Sequence, residues 1–232
     1  RDYYASRGLG DVYKRQQGNA TSGVAIDKRK VTASTYEILV DGAKAESCIV
    51  TTPYENLHIL PSSLDLAAAE LEISDKKGRE SILKNALLPI KQYYDYIIID
   101  CPPSLGLITT NALTASDTFL VPIQCEYYAL EGLTQLMSTV RRIKRQYNNT
   151  IDIEGVLLTM YDGRLNLTQQ VVEEVKKFFP RKVFKTVIPR GVRLSEAPSF
   201  GMPVIYYDKN CKGSITYTEL AKEIIAKERS YE

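Results

Sequence analysis

Short apolar runs alternate with amphipathic segments along this chain from Leu57 onward. Each run is only a few residues long and largely apolar, which is typical of strands buried in a sheet. The predicted strands are 57–60, 96–100, 118–122, 153–159 and 183–188. Because strands that alternate with helices build parallel sheets, the pattern predicts an α/β fold with a doubly wound, mostly parallel sheet.

Three of the segments between and after these strands have helical patterns. The first runs near 126–147. The second presents one apolar face made of Val171, Val172, Val175, Phe178 and Phe179, and the third presents Tyr217, Leu220, Ala221, Ile224 and Ile225 in the same way. We expect both faces to pack against the core rather than against a membrane.

Composition narrows the classes of function only modestly. The 232 residues are 44% apolar and 25% charged, which is ordinary for a soluble globular domain. The net charge of +2 is too small for nucleic-acid binding by bulk electrostatics, so any such contact requires a local basic patch. No apolar run approaches the roughly 20 residues of a membrane span and no signal peptide is recognisable, which predicts a cytoplasmic protein without a membrane role.

Zinc and disulfide chemistry are not expected. The four cysteines are widely separated and form no C-x-x-C pair, and His58 is the single histidine available to join them. His58 lies between two apolar residues in a strand pattern, so a structural role is favoured over a catalytic one.

The predicted strand at 96–100 ends on a carboxylate, Asp100. Ligands of open α/β sheets bind at the carboxyl ends of the strands, where a carboxylate commonly holds Mg²⁺ beside nucleotide phosphates. The alternative is that Asp100 merely caps a loop. Pro102 and Pro103 are expected to end the strand, and Ser104 is expected to cap the next helix.

Several motifs follow one another in the order found in one known family. They are 17–23 (QGNATSG), 93–106 (YYDYIIIDCPPSLG), 111–113 (NAL), 121–127 (VPIQCEY), 130–132 (LEG), 158–162 (LTMYD) and 188–199 (IPRGVRLSEAPS). With these motifs the chain resembles the ParA/Soj group of chromosome- and plasmid-partitioning ATPases, relatives of MinD, from about Gln17 to Ile225. The resemblance implies a P-loop NTPase-like fold, with a short helix around Thr35 to Val40.

The chain departs from the family pattern at its beginning. Family members start with a strand and a loop of the form Lys-Gly-Gly-x-Gly-Lys-Thr, followed by Asp-x-Asp-Pro-Gln. This sequence contains no Gly-Lys-Ser/Thr, and Gln17 follows Arg15 and Gln16. The expected fold therefore lacks the first strand, the P-loop and the water-activating aspartate, and no catalytic residue is assigned.

Residues 1–16 have neither a strand run nor a helical period. We expect them to form a non-native or disordered extension, with residues 17–232 forming the ATPase domain. The alternative is a genuine arm, rich in Tyr and Arg, that contacts a partner.

The resemblance implies a set of ligand-binding residues. Asp100 holds Mg²⁺, and the turn from Cys101 to Gly106, which contains Pro102, senses the γ-phosphate of ATP. Two further groups border the nucleotide or its adenine: Gln17, Gly18 and Asn19, and Met160, Asp162, Pro189 and Arg190. The alternative for Asp162 and Arg190 is that both are ordinary loop charges.

Arg164 and Arg193 match positions on the nonspecific DNA-binding face of the ATP-bound dimer in this family. Arginine suits such a face, because its planar fork grips phosphate without reading bases. A weaker candidate patch lies on the helix near 126–147 and consists of Arg141, Arg142, Lys144 and Arg145.

The resemblance implies an ATPase that binds ATP and Mg²⁺, forms a homodimer around ATP, binds DNA nonspecifically at the nucleoid and is reset by a ParB-type partner. Two alternatives stay open. One is a nucleotide-free DNA-binding or interaction fragment, because the phosphate loop is missing from the sequence. The other is a MinD-like membrane-cycling ATPase, against which the mixed charge of 227–232 argues.

Overall fold

The computed structural model describes residues 19–63, 65–101, 104–126 and 131–228. The chain divides into two compact units. The described residues of 118–137 and 152–232 form the sheet unit, and those of 7–117 and 138–151 form the helical unit. The predicted extension at 1–16 lies outside the described residues and stays a prediction.

The described residues contain five strands and eleven α-helices. The strands are β1 (Val50–Thr51), β2 (His58–Ile59), β3 (Thr118–Gln124), β4 (Asp152–Tyr161) and β5 (Val183–Pro189). The helices are α1 (Asn19–Gly23), α2 (Thr35–Val40), α3 (Ala45–Cys48), α4 (Leu66–Glu72), α5 (Ile82–Leu87), α6 (Leu107–Ala115), α7 (Glu131–Gln146), α8 (Asn166–Phe178), α9 (Val192–Glu196), α10 (Val204–Tyr207) and α11 (Lys212–Glu228). Short 3-10 turns lie at Lys28–Lys30, Arg79–Ser81, Lys91–Tyr93 and Ala197–Phe200.

The sheet unit is built on a parallel sheet in the order β3-β4-β5. Its strands confirm the predictions at 118–122, 153–159 and 183–188, each of which the structure extends by one to three residues. Helix α11 packs against β5, where Leu220 joins a buried cluster with Leu157, Phe184 and Ile188. Gly155 is required here, because a Cβ at this position would lie 2.4 Å from the Phe184 ring.

The helical unit has its own core, formed mainly by side chains of α2, α3 and α5. The buried members are Ile38, Leu39, Ala45, Cys48, Ile73, Leu83, Leu87 and Ile90. Helix α2 has the bounds that the resemblance implied, and its start is fixed by a capping box. Ser34 Oγ accepts a hydrogen bond from Tyr36 N at 3.1 Å, and Glu37 Oε2 accepts one from Ser34 N at 2.6 Å.

The prediction of a buried strand at 96–100 is wrong for this structure. The segment carries no strand assignment, and none of the described strands pairs with it. Ile98 is 91% exposed, and Tyr96 and Ile97 are also exposed. The physical reason is that an apolar strand is buried only where neighbouring strands and helices cover it.

Smaller predictions also need correction. Of 57–60, only His58–Ile59 is a strand, and it pairs antiparallel with β1. Ser104 does not cap α6, whose N-cap is Gly106, although the Ser104 carbonyl accepts a hydrogen bond from Thr109 Oγ1 at 2.6 Å. The helix predicted near 126–147 is described from Glu131 to Gln146.

The helical faces of α8 and α11 are only partly buried. Val171, Val175 and Phe179 are buried as predicted, but Phe178, the last residue of α8, is exposed. Ala221 and Ile225 of α11 are also exposed, because each lies one position beyond Leu220 or Ile224, the two residues that pack in the cluster against β5. Within the described ranges, no helix combines the length and apolar composition needed to cross a membrane.

Candidate functional site

The C-terminal edge of the parallel sheet brings together the predicted base-binding residues. Met160 lies at the end of β4, and Pro189 at the end of β5 is in register with Tyr161. Arg190 N donates a hydrogen bond to Tyr161 O at 3.4 Å, so Asp162 and Arg190 leave adjacent strands side by side. The structure therefore joins Met160, Asp162, Pro189 and Arg190 at the sheet edge where ligands of such folds bind.

Asp162 is held by Arg164, two residues further along the chain. Its Oδ1 accepts hydrogen bonds from Arg164 N at 3.1 Å and Nε at 2.9 Å, and its Oδ2 accepts one from the guanidinium at 2.6 Å. The Arg164 side-chain bond is the largest cause that lowers the pKa of Asp162 to about 2, and the Arg190 charge adds to it. Asp162 is therefore ionised at neutral pH and already neutralised by an arginine.

Arg190 pairs across the sheet with Glu126, which follows β3. Its guanidinium donates a hydrogen bond to Glu126 Oε1 at 3.1 Å, and both side chains remain more than half exposed. Glu126 was not identified from the sequence, because 64 positions separate the two residues and no local pattern links them. This ion pair connects the ends of β3 and β5 over the end of β4.

Gln124, the last residue of β3, is a second site residue missed from the sequence. Its side chain is 5% exposed, and its Nε2 has no hydrogen-bond partner among the described residues. A buried amide donor without a partner is expensive, so it marks a place where an acceptor belongs. The available signal was a polar residue at the carboxyl end of an apolar strand.

Met160 adopts a left-handed backbone conformation, with φ at +51°. Only glycine and a few polar residues enter this region easily, so the turn that ends β4 carries local strain. The strained position directly precedes Tyr161 and Asp162, and it fixes the direction in which the Asp162 loop leaves the sheet.

The two predicted DNA-contacting arginines both make ion pairs. Arg164 contacts Asp162, as described above, while its own side chain remains 89% exposed. Arg193, in α9, contacts Glu196 at 2.9 Å and Asp208 at 3.5 Å, and it is 55% exposed. Both arginines can reach solvent, but each lies in the field of at least one carboxylate.

The remaining predicted residues belong to the helical unit or lie outside the described residues. Asn19 is the first residue of α1, and Asp100 is exposed at the end of the 96–100 segment. Burial, with a contribution from the Asp100 charge, raises the pKa of the neighbouring Cys101 thiol to about 12, so that thiol is neutral. Gln17, Gly18 and Pro102 lie outside the described residues.

Comparison with known proteins identifies the family. The AAA domain family matches residues 12–153. The sporulation initiation inhibitor protein Soj of Bacillus subtilis (strain 168) is 58% identical over 210 residues, which cover 90% of this chain and 83% of that protein. The chromosome partitioning protein ParA of Myxococcus xanthus (strain DK1622) is 47% identical over 212 residues, covering 91% and 75%. The chain belongs to the Soj/ParA family.

The resemblance of this Soj/ParA chain is therefore confirmed, and the interaction-fragment and MinD-like alternatives are not favoured. Among solved structures, cobyrinic acid a,c-diamide synthase from Mycobacterium smegmatis with a bound ATP analog and magnesium is similar. Its TM-score is 0.79 at 30% identity, covering 94% of this chain and 82% of that chain. The chain thus has a P-loop NTPase-like fold with a parallel central sheet, in a family that uses ATP and Mg²⁺.

The described residues of this Soj/ParA chain fit the base of a nucleotide better than its phosphates and Mg²⁺. The unpartnered amide of Gln124, which pairs in register with Thr159 directly before Met160, suits the acceptor atoms of a base. For the phosphates and Mg²⁺, the described part of the chain offers the Asp100 carboxylate, and it gathers no group of three or more His, Cys, Asp or Glu side chains that could hold a metal.

Proposed function

We propose that this Soj/ParA family chain acts in chromosome or plasmid partitioning by an ATP-dependent cycle of dimerisation and DNA binding. The observation that carries the proposal is the carboxyl edge of β3, β4 and β5, where the Gln124 amide, Met160 and the Asp162–Arg190 region lie on adjacent strand ends. Carboxyl ends of parallel strands are the ligand-binding edge of this fold class. A ParB-type protein is the proposed partner, and the nucleoid is the proposed location.

We assign the base to Gln124, Met160, Asp162, Pro189 and Arg190, and the Mg²⁺ to Asp100. Gln17, Gly18, Asn19 and Pro102 stay proposed neighbours of the nucleotide on the basis of the family resemblance. At this edge the negative charge of Asp162 is balanced by Arg164, and the positive charge of Arg190 is balanced by Glu126. The edge therefore offers a nearly neutral surface, which suits an uncharged base better than a phosphate.

DNA contact is proposed for Arg164 and Arg193. Both guanidinium groups are exposed and sit within the sheet unit, but both are already paired with carboxylates. A DNA phosphate must therefore compete with Asp162 for Arg164, and with Glu196 and Asp208 for Arg193. This competition predicts weak binding by one protomer, and a dimer that doubles the number of arginines facing the duplex should bind appreciably more tightly.

The decisive experiment measures DNA binding against salt in a protein that carries a family-type glycine-rich segment ahead of Gln17, with ATP and Mg²⁺ present. Arg164→Ala and Arg193→Ala should each lower the slope of log affinity against log salt by about 0.9 per lost phosphate contact, with little change between DNA sequences. ATP affinity should stay nearly unchanged in Arg193→Ala, which contacts no residue assigned to the nucleotide, whereas Arg164→Ala also releases Asp162 of the proposed base site, so DNA binding of that variant is compared at saturating ATP.

Glu196→Gln provides the matched opposite change. It removes the nearer carboxylate from Arg193 while keeping a side chain of the same size, so DNA affinity should rise. The proposed DNA face is wrong if the double arginine variant keeps its affinity and salt slope at equal dimer population, or if Glu196→Gln changes neither.

A further inference from the structure

Glu70, a half-buried residue of α4, reaches the beginning of a different helix. Its Oε1 accepts a hydrogen bond from Ile108 N at 3.0 Å, although the two residues are 38 positions apart. Ile108 lies in the first turn of α6, where a backbone amide has no partner within its own helix. The carboxylate of Glu70 therefore caps α6 from outside that helix.

Helix α6 provides no side-chain cap of its own. Its N-cap residue is Gly106, which has no side chain, and its first turn contains no acidic residue. Residues 109–114 are buried, and Leu107 packs against the core of the helical unit. A negative charge is favourable at the N-terminus of a helix, because the first amides point outward there. Glu70 supplies this charge from a distant part of the sequence.

Gly106 is shaped to this contact. A Cβ at this position would lie 2.2 Å from Glu70 Oε1 and 2.8 Å from its Cδ. The backbone angles of Gly106, φ −80° and ψ −163°, are open to residues that carry a side chain, so the conformation of the turn does not require glycine. The missing side chain at position 106 instead leaves room for the carboxylate of Glu70.

The contact also reaches the turn 101–106, which precedes α6. Thr109 Oγ1 donates a hydrogen bond to Ser104 O at 2.6 Å, and Thr110 Oγ1 donates one to Gly106 O at 3.0 Å. These two bonds join the end of the turn to α6 itself. Glu70 belongs to α4, so its contact ties the end of the turn and the start of α6 to a separate helix.

We propose that Glu70 is a positioning residue for γ-phosphate recognition, because it fixes the end of the turn, from Ser104 to Gly106, relative to α4. The proposal rests on the proposed function, in which the family resemblance assigns this turn to the γ-phosphate of ATP. ADP lacks that phosphate. Loss of the Glu70 contact should therefore weaken ATP binding and leave ADP binding nearly unchanged.

The first test measures amide hydrogen exchange at Ile108 by NMR in the 232-residue chain without nucleotide. Glu70→Ala should accelerate this exchange about tenfold or more, because the amide loses its bond to a charged acceptor. Glu70→Gln keeps an acceptor oxygen, so exchange should stay within about threefold of the parent chain.

Gly106→Ala tests the same contact from its other side. The added methyl group should displace the carboxylate and accelerate Ile108 exchange as much as Glu70→Ala does. The two changes remove one interaction, so the double variant should exchange no faster than either single variant.

The matched control is Glu72→Ala, which removes another carboxylate from α4. Glu72 accepts a hydrogen bond from Tyr36 OH of α2 at 2.8 Å. Its removal should leave Ile108 exchange within about twofold, because that carboxylate contacts α2 instead. Circular dichroism verifies that all variants keep the helical content of the parent chain.

The second test compares ATP and ADP affinity, with Mg²⁺ present, in the protein that carries a family-type glycine-rich segment ahead of Gln17. Glu70→Ala should lower the ratio of ATP affinity to ADP affinity at least about fivefold. ADP affinity should stay within about twofold, whereas a merely structural role of Glu70 would lower both affinities alike. Glu70→Gln should keep most of the parent's ratio, and Glu72→Ala all of it.

The proposal is overturned if Ile108 is unprotected in the parent chain, if Glu70→Ala and Glu72→Ala accelerate its exchange equally, or if Gly106→Ala leaves it protected. An ATP-to-ADP ratio that Glu70→Ala does not change also overturns it. Failure of the proposed function gives a different result: the segment-bearing parent itself binds ATP no better than ADP, while the exchange experiment, which contains no nucleotide, still decides the Glu70 contact.

Discussion

Asn111 connects two elements of the helical unit, and replacing it should destabilise the protein more than any surface change. The residue is completely buried in α6. Its Nδ2 donates hydrogen bonds to Arg79 O at 2.7 Å and Leu107 O at 3.1 Å, and its Oδ1 accepts one from Leu83 N at 3.1 Å. Leu83 N lies in the first turn of α5, where helix amides have no partner within the helix.

Asn111→Leu keeps the volume of the side chain and removes these hydrogen bonds. Leu107 O retains the backbone bond of the helix, so Leu83 N and Arg79 O are the two groups left without a partner. Each unsatisfied buried group costs about 1–3 kcal/mol, so the two groups together give a loss of roughly 2–6 kcal/mol in the free energy of unfolding. For a chain of this size the thermal midpoint should fall by roughly 5–15 °C.

Urea unfolding followed by circular dichroism measures the loss, and amide hydrogen exchange at Leu83 locates it. The control is Ser116→Ala at the end of the same helix, which removes one hydrogen bond, at 2.7 Å, from Ser116 Oγ to Ala112 O. That change should stay within about 0.5 kcal/mol. If Asn111→Leu unfolds at the same urea concentration as the Ser116 variant, Asn111 does not hold α5 and α6 together.

Three further outcomes are expected. The 232-residue chain should hydrolyse ATP negligibly, because its sequence has no Gly-Lys-Ser/Thr loop and Asp100 does not replace that loop's amides and lysine; phosphate release abolished by Asp100→Ala would contradict this. Carboxyl NMR should show Asp162 titrating near pH 2, below its ordinary pKa of 3.8. The ion pair with Arg164 is therefore complete above pH 3.8 and is lost as the pH falls through about 2. Arg164→Ala should return the inflection to about 3.8. Ile98→Asp should change the free energy of unfolding by at most about 0.5 kcal/mol and reduce aggregation, and a large loss of stability would show that Ile98 is covered.

The strands of the sheet unit could be predicted because their apolar, β-branched sequences are typical of buried strands. The runs ending at Pro122, Thr159 and Ile188 are rich in β-branched residues, and the structure buries most of these residues. Helix α2 was placed correctly with the help of the family resemblance, and the Ser34 and Glu37 capping box supplies a local reason for its start.

The segment 96–100 shows where such reasoning fails. Its sequence is as apolar as that of β3, but an apolar run predicts only that burial is favourable, not that a neighbour is available. Pairing depends on distant segments, and here none of the described strands provides it. The prediction for Phe178 was wrong in a related way: the residue lies on the apolar face at the last position of α8, and a helical period does not show whether a neighbour covers the end of the helix.

The ion pairs at the candidate sites are of two kinds: some join residues that are close in sequence, and one depends on the register of the sheet. The pair of Arg164 with Asp162 and the pair of Arg193 with Glu196 join residues two and three positions apart, so both acidic partners lie in the local sequence. The Arg190–Glu126 pair depends on the register of the sheet and was visible only in the structure. Arg164 and Arg193 must therefore exchange a carboxylate for a phosphate before either can contact DNA, so the local acidic neighbours set the strength of the proposed DNA contact.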